Sequence, residues 1–379
     1  MSDLELQHYF HIIIEWVAVM YITICLMLTF IKSPNDNLYK PFRQSKRMIT
    51  VAFGLMGLNL VVYSILSTGN WNKFNYFIAC VDIILFYLEE LLLCYSFCHI
   101  LNNSFLTRRR IAKDCTQIGV TYLLVLVTLV PGIAAYRNVF ITLALIVMVE
   151  NIIELAVLFR KQYKLNGELL DNYFSTDMQR FVHWTSTSIT LLIISWAFAL
   201  TTMFTNVYVN LAFQAYMVSL NIFIAVSFIN FTPKYGDIAK AYMPDGNDGK
   251  ELQQSGAKTA ATVDDTTRNT LDSRIRAWVG EKKFIGAQFT IDELAATLGT
   301  NKNYLSYFIN ERYNKNFSAW VSSLRIEEAK LMMAARPEQK LEDIAYLVGF
   351  SSPSYFSKVF NLHEGVSPTV WRRKIAKGQ

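Results

Sequence analysis

Charged residues are scarce in this sequence, and they are scarcest in its first two-thirds. Asp, Glu, Lys and Arg make up only 17% of the 379 residues, whereas 53% are hydrophobic. From Trp184 to Thr232 there is no charged residue, which leaves room for two membrane crossings of about 20 residues each. This composition excludes an ordinary soluble protein and indicates a chain largely embedded in a bilayer.

Other absences exclude whole classes of function. The first apolar run is preceded by Asp3 and Glu5 and by no basic residue, so we expect no cleaved signal peptide. The last apolar run, Val207–Phe231, has no Lys, which excludes a retinal Schiff base. No nucleophile–base motif, paired-His metal signature or phosphate loop occurs in the apolar runs. We therefore expect a protein that is not an enzyme, with no catalytic residue and no cofactor.

Cysteine is also rare, and its placement argues against disulfides. The five cysteines lie in or beside apolar runs: Cys25, Cys80, Cys94, Cys98 and Cys115. No pair falls in an extracellular loop, so no disulfide is needed. Two groups have the residue types of metal ligands, namely Cys94, Cys98 and His99, and His8, His11 and Glu15. Packed free thiols and polar residues at a helix start are favoured over metal binding, so no metal site is predicted.

Seven apolar runs are long enough to cross a bilayer. They are Ile12–Ile31, Met48–Ser67, Phe74–Leu101, Thr116–Ala135, Val139–Phe159, Trp184–Phe204 and Val207–Phe231. The uncharged segment TNVYVN (Thr205–Asn210) predicts a hairpin between the last two runs. Lys and Arg are abundant in the first, third and fifth loops and scarce in the second, fourth and sixth. The positive-inside rule then places the N-terminus outside and the C-terminal part in the cytoplasm.

Six acidic residues fall within these predicted spans: Glu15, Asp82, Glu89, Glu90, Glu150 and Glu154. Ionisable groups at such depth are costly and usually face a bundle interior. Glu150 and Glu154 stand four residues apart and share a helix face. We take all six as candidate sensing residues for a ligand, an ion or a proton, and hydrogen bonding between helices is the alternative.

The composition changes after Phe231. Residues 232–270 are rich in Gly, Asp, Ser, Thr and Gln, which predicts a flexible cytoplasmic linker. The predicted organisation is a membrane domain over 1–231, this linker over 232–270, and a C-terminal domain over 271–379.

The C-terminal domain contains an internal repeat. DELAATLG (Asp292–Gly299) is echoed by EDIAYLVG (Glu342–Gly349), and YLSYFIN (Tyr304–Asn310) by YFSKVFN (Tyr355–Asn361). In each copy a small Ala stands where two helices must cross and a Gly stands where the chain must turn, as in a helix-turn-helix. Two apolar sets are expected to be buried: Leu294, Leu298, Leu305 and Phe308 in the first copy, and Ile344, Val348, Phe356 and Val359 in the second.

The opposite face of each second helix is polar, and short polar side chains and Lys suit base edges and phosphates in a major groove. The predicted DNA-binding residues are Asn303, Ser306 and Tyr307 in the first copy, and Ser354, Ser357 and Lys358 in the second. The terminal WRRK adds Arg372 and Arg373 as phosphate-binding candidates. The domain has 16 Lys and Arg against 11 Asp and Glu. For Arg325, bridging the helix between the copies to a neighbouring acidic side is preferred over phosphate contact.

These residues resemble the DNA-binding domain of the AraC/XylS family. The resemblance covers about 105 residues and rests on LAATLG…YLSYFINERYNKNFSAWVSSLRIEEAK and IAYLVGFSSPSYFSKVFNLHEGVSPTVWRR. It implies an all-α domain whose two recognition helices enter successive major grooves. Asn314 departs from the pattern, since the family often has Gly there, but Asn tolerates the left-handed conformation.

The whole chain is similar to membrane-anchored AraC-type regulators of bacteria, chiefly through its number of spans. The expected fold is all-α, a seven-helix transmembrane bundle followed by a cytoplasmic double helix-turn-helix domain. The expected function is a one-component transcription regulator of the inner membrane, with the lipid bilayer, double-stranded DNA, an unidentified signal or membrane partner, and a second copy of the chain as partners. The alternative is a membrane enzyme or receptor with a DNA-binding regulatory tail.

Overall fold

The computed structural model describes residues 3–66, 76–103, 105–202, 207–242, 265–285, 288–376 and 378. Its described residues are almost entirely helical, and a single antiparallel bridge joins Phe174 and Thr290. The chain divides into two compact units. The first comprises Met1–Asn166 and Phe181–Tyr242, and the second comprises Gly167–Arg180 and Met243–Gln379.

In the part of the first unit that the structure describes, seven long helices are found, of which α5 extends beyond the unit. They are α1 (Asp3–Phe30), α2 (Lys40–Leu66), α3 (Tyr76–Leu101), α4 (Arg108–Val127), α5 (Arg137–Tyr173), α6 (His183–Thr202) and α7 (Val207–Ala241). The boundary between the units falls inside α5, after Asn166. Helix α2 packs extensively on both α1 and α3. An aromatic cluster joins α2 to α6 and α7, with the ring of Phe42 stacked on Phe228 at 5.0 Å and Trp184 beside Phe228 and Phe231.

Five of the described helices are long and apolar enough to cross a membrane. These segments are Tyr9–Phe30, Asn37–Leu66, Ile83–Leu101, Arg137–Tyr173 and Tyr208–Ala241. They correspond to the first, second, third, fifth and seventh of the predicted spans. The predicted spans in α4 and α6 stay predictions.

Two helix ends differ from the boundaries that the sequence suggested. Helix α4 ends at Val127, and Pro131 opens a separate 3₁₀ segment, so the predicted span Thr116–Ala135 is not one continuous helix. Helix α7 continues past Phe231 to Ala241, with Pro233 inside it. The buried side chains of Tyr235, Ile238 and Ala239 explain this continuation, because tertiary packing outweighs the hydrogen bond that Pro233 removes. Of the predicted linker, residues 243–264 lie outside the described residues, as do Thr205 and Asn206 of the predicted hairpin.

The described residues of the second unit form seven shorter helices. They are α8 (Asp265–Gly280), α9 (Ile291–Leu298), α10 (Lys302–Tyr313), α11 (Phe317–Ala335), α12 (Leu341–Leu347), α13 (Pro353–Glu364) and α14 (Pro368–Ala376). Helix α8 begins at Asp265, before the predicted domain start at 271, and its Leu271, Ile275 and Trp278 are buried. Trp278 stacks on Trp320 of α11, with ring centroids 5.9 Å apart. The long helix α11 contacts α10 on one side and α12, α13 and α14 on the other.

Candidate nucleic-acid interface

The first helix-turn-helix is formed by α9 and α10. Local sequence signals fix the start of α9, its end in the turn and the start of α10. Thr290 and Glu293 form a reciprocal capping box at the start of α9. Gly299 ends α9 in the left-handed conformation with φ 65°, where a side chain is disfavoured. Asn301 then caps α10 through the N–H of Tyr304, at 2.8 Å. Ala295 is 3% exposed at the crossing of the two helices, as the sequence predicted.

The second helix-turn-helix, α12 and α13, repeats the turn glycine and the capped second helix, whereas its first helix begins at Lys340 without a side-chain cap. Gly349 has φ 97° in the turn, and Ser352 caps α13 with Pro353 in its first turn. Ala345 is fully buried. Of the eight apolar residues expected to be buried in the two copies, seven are buried and Val359 is half-buried. Asn314 has φ 50° at the end of α10, so it holds the left-handed position in which the family often has Gly.

The predicted recognition residues differ in exposure between the two copies. Ser354, Ser357 and Lys358 are exposed on α13. On α10 the three residues Asn303, Ser306 and Tyr307 are half-buried. The second copy therefore presents the more open surface for contacting bases.

The two terminal arginines, both on α14, lie in different environments. Arg373 is exposed and available to a phosphate. Arg372 is half-buried, and its Nη1 donates a 2.7 Å hydrogen bond to the carbonyl of Gln339, just before α12. Arg372 thus ties α14 to the start of the second helix-turn-helix.

We expect the two arginines to respond differently to replacement by Ala. Arg373→Ala should weaken binding to all duplexes and lower the slope of log affinity against log salt by about one, since one phosphate contact is lost. Arg372→Ala should instead destabilise the second unit, by about 1.5–3 kcal/mol for one charged hydrogen bond. Titrations at several salt concentrations, paired with thermal unfolding, separate the two effects. Equal salt slopes for the two variants would contradict this assignment.

Arg325 lies at the centre of α11 and is a buried structural residue. It is 1% exposed, its Nε donates to the carbonyl of Phe284 at 2.9 Å, and its Nη1 donates to the carbonyl of Ser175 at 3.0 Å. Burial lowers the pKa of Arg325 to about 10, so the guanidinium is charged at neutral pH. The structural role preferred from the sequence is therefore observed, and these two hydrogen bonds go to backbone carbonyls, whereas an acidic side was expected.

Sequence reasoning missed one component of this unit, the segment Gly167–Arg180. Its Phe174, Ser175, Thr176 and Met178 are all buried. The N–H of Ser175 donates to the carbonyl of Phe289, and the N–H of Phe289 donates to Ser175 Oγ, both at 3.0 Å. The adjacent aromatic pair Tyr173 and Phe174 in a polar connecting loop was the available signal in the sequence.

One group in the described residues has the composition of a metal site, but a cation of the protein itself contacts it. Glu327, His363 and Glu364 lie together at the end of α13. Lys330 Nζ is 3.1 Å from Glu327 and 3.0 Å from Glu364, and its ammonium stands over the Trp371 ring. These contacts link α11, α13 and α14.

The six candidate sensing acids occupy different environments in the first unit. Glu89 and Glu90 are 3% and 2% exposed on α3. Glu150 is exposed on α5, whereas Glu154 is ion-paired with Lys113 of α4. Glu15 accepts a 3.1 Å hydrogen bond from Ser64, and the side chain of Asp82 lies outside the described residues.

The shared helix face predicted for Glu150 and Glu154 therefore does not place them in one environment. Between them along α5, Asn151 is buried and donates to Gln117 of α4 at 2.6 Å. In the third helix, His99 contacts Gln44 at 2.8 Å, and Cys94 and Cys98 are free thiols.

The comparison with family models concerns the C-terminal part of the chain. Residues 294–374 match the family model described as a helix-turn-helix domain. The transcriptional regulatory protein YesN of Bacillus subtilis is 35% identical over 75 residues, which are 20% of this chain and 20% of that protein. The HTH-type transcriptional regulator YisR of the same species is 30% identical over 88 residues, 23% of this chain and 30% of that protein.

The arabinose operon regulatory protein of Salmonella typhimurium is 23% identical over 151 residues, 38% of this chain and 53% of that protein. The chain thus matches between about a fifth and about half of the length of these curated relatives. No solved structure matches the chain. The C-terminal segment is an AraC-type helix-turn-helix domain.

Proposed function

We propose that this chain, which carries an AraC-type helix-turn-helix domain, is a membrane-bound one-component transcription regulator. Two recognition helices, α10 and α13, bind a specific DNA duplex, and a signal received in or at the membrane controls them. The observation that carries the proposal is the presence, in one chain, of two capped helix-turn-helix units and five described helices apolar enough to cross a bilayer. A tether would need one crossing, so the remaining helices are available for sensing.

The proposed topology has seven crossings in the bacterial inner membrane, with the N-terminus outside and the DNA-binding domain in the cytoplasm. The alternation of loops that are rich in Lys and Arg with loops that have few or none supports this topology. The buried Glu89 and Glu90 support a sensing role for the membrane part, because acids buried among apolar helices are expensive and usually functional. Residues 243–264, with the composition of a tether, would give the domain reach towards DNA.

A membrane enzyme or receptor with a DNA-binding tail is the second candidate. It retains the same helix-turn-helix units but assigns chemistry to the membrane part. The apolar runs contain no nucleophile–base motif, paired-His signature or phosphate loop, which favours the sensor.

Reporter fusions and recovery of bound DNA test the two parts of the proposal separately. A cytoplasmic reporter fused after Ala241 is expected to be active, and an exported reporter placed between α2 and α3, or between α6 and α7, is expected to be active too. Crosslinked DNA recovered with the full chain from the membrane fraction should be enriched at discrete genomic sites. Export of the fusion after Ala241 would contradict the topology. Absence of enriched sites would contradict the DNA-binding role.

A further inference from the structure

The segment Gly167–Arg180 joins the last turns of α5 to the start of α6, yet it belongs to the same compact unit as the DNA-binding helices. It is acidic, with Glu168, Asp171 and Asp177 against a single Arg180. In the proposed topology it is the cytoplasmic loop that connects two membrane helices. The inference drawn from it rests on the proposed function.

The segment is held by backbone hydrogen bonds and by burial. Phe174 forms an antiparallel bridge with Thr290, the residue that caps α9. Ser175 is 1% exposed; it exchanges hydrogen bonds with Phe289, and its carbonyl accepts one from Arg325. The segment is anchored at the start of α9 and at the middle of α11. It therefore contacts both the first helix-turn-helix and the helix that joins the two helix-turn-helix copies.

The internal geometry of the segment is also fixed. Gln179 donates to Asp171 at 3.0 Å and folds back over Gly167. A Cβ built on Gly167 would lie 2.8 Å from the amide nitrogen of Gln179. A side chain at position 167 would therefore require the end of the Gln179 side chain, which bonds Asp171, to shift.

Three residues of the segment, Tyr173, Asp171 and Asp177, act on side chains of the two recognition helices. The ammonium of Lys302, the first residue of α10, stands 5.7 Å from the centre of the Tyr173 ring, and the Lys302 side chain is only 12% exposed. On α13, Lys358 interacts electrostatically with the Asp171 carboxylate. Also on α13, burial raises the pKa of the Tyr355 hydroxyl, and the negative charges of Asp177 and Asp171 raise it further because they disfavour a phenolate.

The first turns of a recognition helix contact base edges and the adjoining phosphates. A phosphate and an Asp carboxylate are both anions that accept hydrogen bonds from Lys, so they compete for the same cations. We propose that Gly167–Arg180 is an autoinhibitory clasp: Tyr173 covers the Lys302 ammonium at the start of α10, Asp171 and Asp177 compete with phosphate for Lys358 of α13, and DNA must displace the segment to engage both helices fully. A signal that moves the end of α5 would act by releasing the clasp.

This clasp gives the DNA-binding unit a second covalent connection to the membrane helices, in addition to the predicted tether. A tether alone sets only the local concentration of the domain. The clasp instead links a particular helix, α5, to particular recognition residues. It thus provides a route by which a change in the membrane part alters DNA affinity.

The electrostatic test uses the full chain in lipid nanodiscs and a duplex taken from its own genomic sites. Asp171→Asn combined with Asp177→Asn should tighten DNA binding about 2- to 10-fold, because two negative charges that compete with phosphate are removed. Glu168→Gln is the matched control: it removes one negative charge from an exposed position of the same segment and should leave the affinity within about twofold. Unchanged affinity in the double variant would overturn the proposal.

Hydrogen–deuterium exchange gives a second, independent measurement. In the DNA-free protein the amides of Ser175 and Phe289 should be protected, because each donates a hydrogen bond within the clasp. Addition of a saturating specific duplex should accelerate both. Protection that persists in the DNA complex would mean that the segment only positions the domain, and autoinhibition would be wrong.

These outcomes separate this inference from the proposed function. Failure of every variant to bind any duplex specifically would contradict the regulator itself, whatever the exchange of Ser175 and Phe289. Specific binding with unaltered exchange would contradict only the clasp.

Discussion

Arg325→Ala is expected to destabilise the second unit by about 3–5 kcal/mol, since two charge-assisted hydrogen bonds are lost at a buried position. The guanidinium is 1% exposed and bonds the carbonyls of Phe284 and Ser175. Truncation also removes its packing over the Phe289 ring, 5.9 Å from the guanidinium carbon, and leaves a cavity. This is the largest single-residue effect that we expect outside the apolar core.

Hydrogen exchange of the α11 amides measures this effect locally. A loss of 3 kcal/mol corresponds to exchange that is about 150-fold faster, because each 1.4 kcal/mol is a factor of ten. Arg336→Ala is the control, because Arg336 is exposed at the end of the same helix and its removal should change stability by no more than about 0.5 kcal/mol. Arg325→Lys should retain the charge but lose the forked geometry, giving an intermediate effect. Equal exchange in Arg325→Ala and Arg336→Ala would contradict the structural role.

Lys358→Ala is expected to weaken specific DNA binding by about 1–3 kcal/mol, which is roughly 5- to 150-fold. Lys358 is exposed on α13, where the recognition surface is most open. A Lys that contacts a base edge contributes sequence discrimination, whereas one that contacts phosphate weakens all duplexes alike. Titrating one specific and one scrambled duplex with the same variant therefore provides an internal control.

The clasp also affects the change in DNA affinity that is expected for Lys358→Ala. Because Lys358 also attracts Asp171, its removal should loosen the clasp and offset part of the loss. The comparison is best made in an Asp171→Asn background, where only the DNA contact remains. A specific affinity that is unchanged in that background would mean that Lys358 does not contact the operator.

The helix-turn-helix half of the fold was predictable because its signals are local. Small residues at 295 and 345, turn glycines at 299 and 349, and apolar spacing of three and four residues all act within one or two helical turns. Capping residues such as Thr290 and Ser352 specify helix starts in the same way. This explains why seven of eight expected core residues are buried.

The parts that escaped prediction depend on contacts between distant residues or on helix rotation. Ser175 and Arg325 are 150 positions apart, so nothing near either residue indicates their bond. Arg372 and Arg373 are neighbours in sequence, but rotation of α14 directs the first to Gln339 and leaves the second exposed. In the first unit, helix α7 continues beyond the end of its apolar run because Tyr235 and Ile238 are buried. A count of apolar residues does not reveal this burial.

The continuity of α5 into the clasp has a thermodynamic consequence. If DNA and a membrane signal both shift the equilibrium between closed and open clasp, each must change the affinity for the other by the same factor. Occupied operator DNA would then tighten or weaken signal binding by as much as the signal alters DNA binding. A regulator built in this way senses its own promoter occupancy. Each chain bound at its site would have a changed affinity for the signal, so the fraction of bound chains would set the average sensitivity of the population to that signal.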